Sequence, residues 1–329
     1  MLKRFLFILC LWLSTSFAVY ADEAFVQRPD VQDFISHMVK KYKFNKTELV
    51  NLFSTVKIRP KVIQKIKAPL EQKPWYLYQR LFVTEWRIRE GLVFWNKYKD
   101  ALDRAEKIYG VPASLIVATI GVETKYGRNT GEYPVIDALT NLAFDSARSK
   151  YFRRELEEFL LMTREQGLNP KQVMGSYAGA IGQPQFMPSS YRYYAVNFSG
   201  SGKIDLSHNE VDVIGSIANY YKKHGWKTGQ PVAVPASTNG GQYQLKFNGR
   251  RSISRSELIQ AGIIPPKIKE QKYKVIPLQS YYGHEYWLGF HNFGVIKRYN
   301  SSDLYAMAVY QLSYYITALR EKNHYGSQA

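Results

Sequence analysis

Apolar residues recur at helical spacing through most of this chain, and glycine ends one such segment after another. That pattern limits the fold more than any other feature, because a helix has to bury its apolar stripe against a neighbouring element. In "DVQDFISHMVKKYKF" the residues Val31, Phe34, Ile35 and Met38 share one face, with Asp30 placed as an N-cap. "NKTELVNLFSTV" repeats the arrangement, with Asn45 as the cap and Leu49, Leu52 and Phe53 on one side. "EGLVFWNKYKDALDRAEKIYG" reads as one long amphipathic helix stopped at Gly110, and Pro112 opens the next, which carries Glu123. "RRELEEFLLMTREQG" and "VDVIGSIANYYKKHGW" stop at Gly167 and Gly225, and "SSDLYAMAVYQLSYYITALREK" brings the helical period back near the C-terminus. The pattern changes only between 231 and 285, where "QYQLKFNGRRSISR" alternates about an Asn-Gly turn and "YKVIPLQ" reads as a strand. The expected fold class is mostly α, of α+β type, with a small β-rich insertion.

The chain opens "MLKRFLFILCLWLSTSFAVYADE", in which basic Lys3 and Arg4 precede the apolar run Phe5 to Leu13 and a small residue, Ala21. This is the order of a secretory leader cleaved after Ala21, and its apolar run is too short for a permanent membrane span. Cys10, the single cysteine, falls inside it, so the mature chain would have no disulfide framework and no thiolate zinc site. Leu9 and Leu11 flank Cys10 where lipid attachment favours small residues, so the expected form is periplasmic and not lipid-anchored. The formal charge of +18 calls for an anionic partner. Export removes nucleic acid from the list and leaves the polymers of the cell envelope. The 26 tyrosines and six tryptophans fit a sugar polymer, whose ring faces suit aromatic side chains, although any one ring is more often core.

Glu123 ends the apolar run "VPASLIVATI", with Gly121 before it and Gly127 after. Solvation, or a pair with Lys125 or Arg128, would explain it, and so would a catalytic acid. Residues 175 to 198, "GSYAGAIGQPQFMPSSYRYYAVNF", form either a tight interhelical turn or a wall where backbone approaches a ligand. Taken with "IGVETKYG", "FLLM", "IGSIANYYKKHGW" and "RYNSSDLYAMAVYQL", this segment resembles the lytic murein transglycosylase B family in order and spacing, over about residues 75 to 320.

The resemblance implies a lysozyme-like catalytic core over 106–230, after a signal peptide at 1–21 and an N-terminal helical region at 22–105. The β-rich insertion then spans 231–285, and a helical part at 286–322 completes the cleft. It implies an enzyme that cuts the β-1,4 bond between N-acetylmuramic acid and N-acetylglucosamine in peptidoglycan without adding water. The muramic O6 attacks C1 and leaves a 1,6-anhydro end. Glu123 would be the single catalytic residue, acid and then base. Glycoside hydrolysis ordinarily needs two carboxylates, but attack by the substrate's own hydroxyl dispenses with an activated water. Apolar neighbours would keep Glu123 protonated, and the two glycines would leave room for the sugar.

By the same resemblance, Tyr78, Arg148, Gln185, Tyr220, Tyr299 and Tyr305 are sugar contacts, and Ser176 lies beside the active-site wall. Gln183 and Pro184 depart from the family, standing where an aromatic and a glycine are more usual. So does the loop 197–212, where neutral Asn197 and Ser201 replace the carboxylates calcium wants, one residue further from Asp212. No tight calcium site, other metal or cofactor is expected. The expected partner of the monomer is the peptidoglycan glycan strand, with wall-synthesis proteins as further candidates. Two rival readings stand beside this one. A hydrolytic muramidase would use Asp137 or Asp145 as its second carboxylate, and a non-catalytic wall-binding protein would use only charge and aromatics.

Overall fold

The computed structural model describes residues 25–66, 72–238, 253–266 and 272–326. The leader at 1–21 and the Asn-Gly turn near 248 lie outside these residues. The chain divides into two compact units, each assembled from separate stretches of sequence. One contains the described residues up to 67, with 131–181 and 186–192; the other contains those of 68–130, with 182–185 and those from 193 onward.

In the first unit, helices Pro29–Tyr42, Lys46–Phe53, Val135–Asp145 and Ser149–Gln166 enclose a core rich in phenylalanine. Phe34 meets Phe53 and Phe144 edge to face at 5.9 and 6.0 Å, the arrangement ring quadrupoles favour. Asn45 caps its helix as expected, accepting the Glu48 amide at 3.2 Å. Asp30 does not. The helix begins at Pro29, whose fixed φ suits the first helical position, so Asp30 falls within the first turn. There it accepts from Arg28 at 3.1 Å and Arg153 at 3.2 Å and still complements the positive helix end. A two-residue ladder pairs Tyr133–Pro134 with Met174–Gly175.

The second unit is built around the helix Ala113–Thr124, ten of whose residues are buried. A helix apolar on every side has to be covered on every side. Helices Glu85–Lys97, Lys99–Tyr109, Glu210–Lys223 and Asp303–Gly326 all pack against it. The long helix expected up to Gly110 breaks at Tyr98, where φ is −113° and ψ 27°. The apolar stripe runs on through the break without proline or glycine, so periodicity alone gave no sign of it. Gly110 does end the second piece, with φ at +70°.

This unit also holds an antiparallel sheet in the order Ile253–Ser254, Lys272–Ser280, Gly283–Gly289, Ala233–Thr238, Ile263–Ile264. The strand expected at "YKVIPLQ" is its longest member. The sheet has a small core of its own, with Ile253, Leu258, Ile263, Tyr273, Val275 and Leu288 buried together. Helix His291–Tyr299 follows and leads into Asp303–Gly326.

Candidate active site

Glu123 occupies the last turn of the buried helix and is itself half-buried. Thr124 fastens that turn, donating from Oγ1 to the Gln183 carbonyl at 3.0 Å and accepting the Gly127 amide at 3.1 Å. Lys125, Tyr126 and Gly127 then take φ values of +52°, +59° and +82° in succession. Two non-glycine residues in that region are a strained arrangement. The turn folds Tyr126 back against the helix, and its hydroxyl donates to the Arg87 carbonyl at 2.6 Å.

A β-carbon at Gly121 would lie 2.5 Å from the Tyr126 hydroxyl, and one at Gly91 2.6 Å from it. Gly127 packs on the Gln183 amide, where a β-carbon would come within 2.9 Å. The expectation that Gly121 and Gly127 leave room for a sugar is therefore corrected: they leave room for Tyr126 and Gln183. Arg87, buried on the neighbouring helix, donates from Nε to the Gly121 carbonyl at 3.0 Å and also binds the Leu81 carbonyl.

Tyrosines make up the other surroundings of Glu123. The Tyr305 hydroxyl donates to Glu123 Oε1 at 2.5 Å. Tyr299 stacks on Tyr305 with centroids 6.2 Å apart and planes 14° apart, and its hydroxyl donates to the Pro184 carbonyl at 2.6 Å. Tyr220 and Tyr221 pack against Tyr299 at 4.7 and 5.6 Å. The Tyr220 hydroxyl donates to the Arg298 carbonyl at 2.6 Å, and the Tyr221 hydroxyl pairs with Thr119 Oγ1 at 2.9 Å. Burial pushes the Tyr221, Tyr299 and Tyr305 phenols well above their ordinary range, and the negative charge of Glu123 pushes the same way. These rings stay protonated at neutral pH, so they serve as donors and apolar walls and not as bases.

Six of the residues singled out in the sequence lie in the unit that holds Glu123, Glu123 included. Tyr305 touches it, Tyr299 and Tyr220 continue the wall, and Tyr78 is buried between Trp75 and Phe82 at 6.4 and 4.6 Å. Gln185, at φ +50°, spends its amide on the Thr130 and Gly182 carbonyls at 3.0 and 2.9 Å. Arg148 and Ser176 belong to the other unit. The Arg148 guanidinium lies 4.7 Å above the Tyr151 ring, and Ser176 Oγ accepts the Ala180 amide at 3.0 Å.

Asp137 and Asp145, the rival carboxylates, are also in that other unit. Asp137 accepts from Arg59 at 2.8 Å and Asp145 from Arg28 at 2.8 Å. Of the two departures at the family's loop, Gln183 is buried and donates to the Ser207 carbonyl at 3.2 Å, while Pro184 supplies the carbonyl that holds Tyr299. In the loop 197–212, Asp212 accepts the Ser199 and Asp205 amides at 2.8 and 3.1 Å, and Asp205 accepts those of Ser207 and His208 at 2.8 and 2.9 Å.

Sequence reasoning passed over Tyr221, Tyr126, Arg87 and an ionic cluster in which Lys274 and Lys297 meet Asp303 at 2.5 and 2.7 Å. Asp303 opens the helix that carries Tyr305. Tyr221 stood next to Tyr220 in "IANYY", but the partners of Arg87 and Tyr126 are backbone carbonyls, which leave no trace in composition.

The chain matches the SLT_2 family, described as a transglycosylase SLT domain, over residues 26–314. It is 43% identical over 309 residues to membrane-bound lytic murein transglycosylase B of Escherichia coli strain K12, covering 90% of this chain and 85% of that protein. The crystal structure of soluble lytic transglycosylase SltB1 from Pseudomonas aeruginosa superposes with a TM-score of 0.82 at 45% identity, covering 89% of this chain and all of that one. That of the Escherichia coli lytic transglycosylase Slt35 in complex with calcium gives 0.84 at 43%, covering 90% and 95%.

Proposed function

Since this chain belongs to the SLT_2 family and is a lytic transglycosylase of murein, we propose that Glu123 is its catalytic acid and base and that the product carries a 1,6-anhydro ring. In this reading Glu123 gives its proton to the glycosidic oxygen as the bond to C1 breaks. The substrate's 2-acetamido group supports the positive charge at C1, as in substrate-assisted glycosidases. The muramic O6 then bonds to C1 and returns its proton to the same carboxylate, so no water is consumed and one acid suffices.

The observation that carries the reading is the bond from Tyr305 to Glu123 Oε1. A neutral phenol orients the carboxyl group without contributing the full cationic charge that arginine brings to Asp137 and Asp145. Tyr220, Tyr299 and Tyr305 would form the sugar-facing wall, with Tyr78 and Gln185 of the same unit as further sugar contacts. The core at 106–230 would supply the acid, and 286–322 the tyrosine pair. A secretory leader at 1–21 would direct this action to the periplasm.

Calcium does not fit the loop 197–212. Asn197 and Ser201 bring no charge, and the carboxylates of Asp205 and Asp212 are engaged by backbone amides, whereas calcium wants several anionic oxygens turned to one point. No step is assigned to it.

The test is a digest of purified sacculi by the mature protein and by Glu123→Gln, with products weighed by mass spectrometry. Anhydro ends from the wild type alone are expected. Reducing ends, heavier by one water, would make the enzyme a hydrolase.

A further inference from the structure

The turn joining strands Lys272–Ser280 and Gly283–Gly289 contains two residues, Tyr281 and Tyr282, because Ser280 pairs directly with Gly283. Tight hairpin turns of this length favour asparagine and glycine at positive φ. Here both loop residues are tyrosines with negative φ, and the left-handed conformation falls on Gly283 at +134°. Turn chemistry does not select them.

Core packing does not select them either. Tyr281 is 71% exposed and Tyr282 95%, the highest values among the large apolar side chains of the described residues. Aromatic rings left in water forgo the burial that ordinarily justifies their size. A position that breaks both the turn rule and the burial rule is where a binding role is expected.

The rings also touch one another. Tyr282 meets Tyr281 at 4.9 Å and 72°, and Tyr281 meets Tyr76 at 5.6 Å and 79°. Tyr76 stands on helix Trp75–Phe82, which packs against strand Lys272–Ser280 and is anchored by buried Trp75 and Tyr78. Two elements with separate anchors thus present one continuous row of phenols.

We propose that Tyr76, Tyr281 and Tyr282 form an accessory glycan-binding surface that stacks on the sugar rings of the murein strand, in addition to the tyrosine wall at Glu123. Pyranose rings offer apolar C–H faces with hydroxyl and amide rims, and a phenol matches both, with its face to the ring and its hydroxyl to the rim. The inference rests on the glycan reading of the substrate but not on the anhydro chemistry.

The experiment uses the mature chain carrying Glu123→Gln, so that sacculi are bound but not cut. Co-sedimentation with sacculi is compared with and without Tyr281→Ser and Tyr282→Ser, and with Phe at both positions. The Ser pair should weaken sacculus binding about tenfold, because it removes two stacking faces, and the Phe pair should retain most of it. In the active background, KM for sacculi should rise about tenfold more than KM for a short soluble murein fragment. Unchanged sacculus binding by the Ser pair overturns the proposal. Equal effects on sacculi and fragment overturn it in favour of a local structural role. Loss of binding to anionic phospholipid vesicles, with sacculus binding intact, replaces the glycan by a membrane surface. A parent protein that binds no sacculi at all overturns the substrate reading beneath it as well.

Discussion

Glu123 and Glu155 are both glutamates set into helices among apolar side chains, one in each unit, and their partners differ. Glu155 is 5% exposed and accepts both the amide and the hydroxyl of Ser189, at 3.0 and 2.8 Å. Ser189 lies in the first turn of helix Pro188–Tyr194, so this carboxylate caps a helix from outside. Burial pushes its pKa up and the Ser189 bonds hold it down, with burial the larger influence. The Tyr151 phenol also bonds Glu155, beside these two helix-capping bonds, whereas Glu123 accepts from a phenol that belongs to a stack of rings. Burial of a carboxylate is therefore a poor guide to catalysis. What separates the two is whether the partners hold up the fold or surround a proton.

Replacement by glutamine should separate them most sharply. Glu123→Gln should lower turnover of sacculi about a thousandfold or more and leave unfolding free energy within about 0.5 kcal/mol of the wild type. A folded Glu123→Gln protein that still cuts would break the comparison. Next in size is Tyr305→Phe, which removes one donor from the carboxylate. Turnover should fall about tenfold to a hundredfold. Because the lost bond favours the ionised form, the limb where the rate falls with rising pH should move to higher pH. A limb that stays put would show that Tyr305 only fills space.

Glu155→Gln should do the reverse of Glu123→Gln. Its remaining oxygen can still accept the Ser189 N–H, but its NH2 group then faces the Ser189 hydroxyl, which has to change from donor to acceptor. This should cost about 0.5–1.5 kcal/mol in urea unfolding, with activity changed less than fivefold, roughly 1 kcal/mol of barrier. The pH dependence follows from the raised pKa of Glu155. The folded chain holds this proton more tightly than the unfolded chain. The contribution to stability is thus complete below the ordinary carboxylate range and is lost as pH rises through the raised value. Melting curves between mild acid and neutrality should show that loss in the wild type, and Glu155→Gln should flatten it. The smallest effect expected is none: chelator should not shift the melting midpoint, and added calcium should not raise it. A calcium-dependent rise would mean that the loop 197–212 gives up its amide bonds for the ion.

The sequence was most legible where one local rule acted. Glycine stops at 110, 167 and 225 follow from the lack of a β-carbon, and each sits at positive φ in the structure. The fully apolar helix announced its own burial. Where two rules competed, the reading slipped. Pro29 outranked Asp30 in setting a helix start, and an unbroken apolar stripe hid the break at Tyr98. The partner of Glu123 comes from Tyr305, 182 positions along the chain, and no spacing rule reaches that far. It was visible only because "RYNSSDLYAMAVYQL" resembled a known family. Arg87 and Tyr126 were invisible because each works through a carbonyl oxygen, which every residue has.

Tyr126 sits between Gly91 and Gly121 with no room for a methyl group at either, while Arg87 holds the Gly121 carbonyl and lends its own to the phenol. The rear of the Glu123 helix is thus a closed loop of contacts in which no member can be exchanged singly. The tyrosine side is held in another way, by rings packed on one another with one carbonyl, hydroxyl or carboxylate partner for each phenol. In such an enzyme the place of the acid can change only by several substitutions at once, so single changes would leave it where it is.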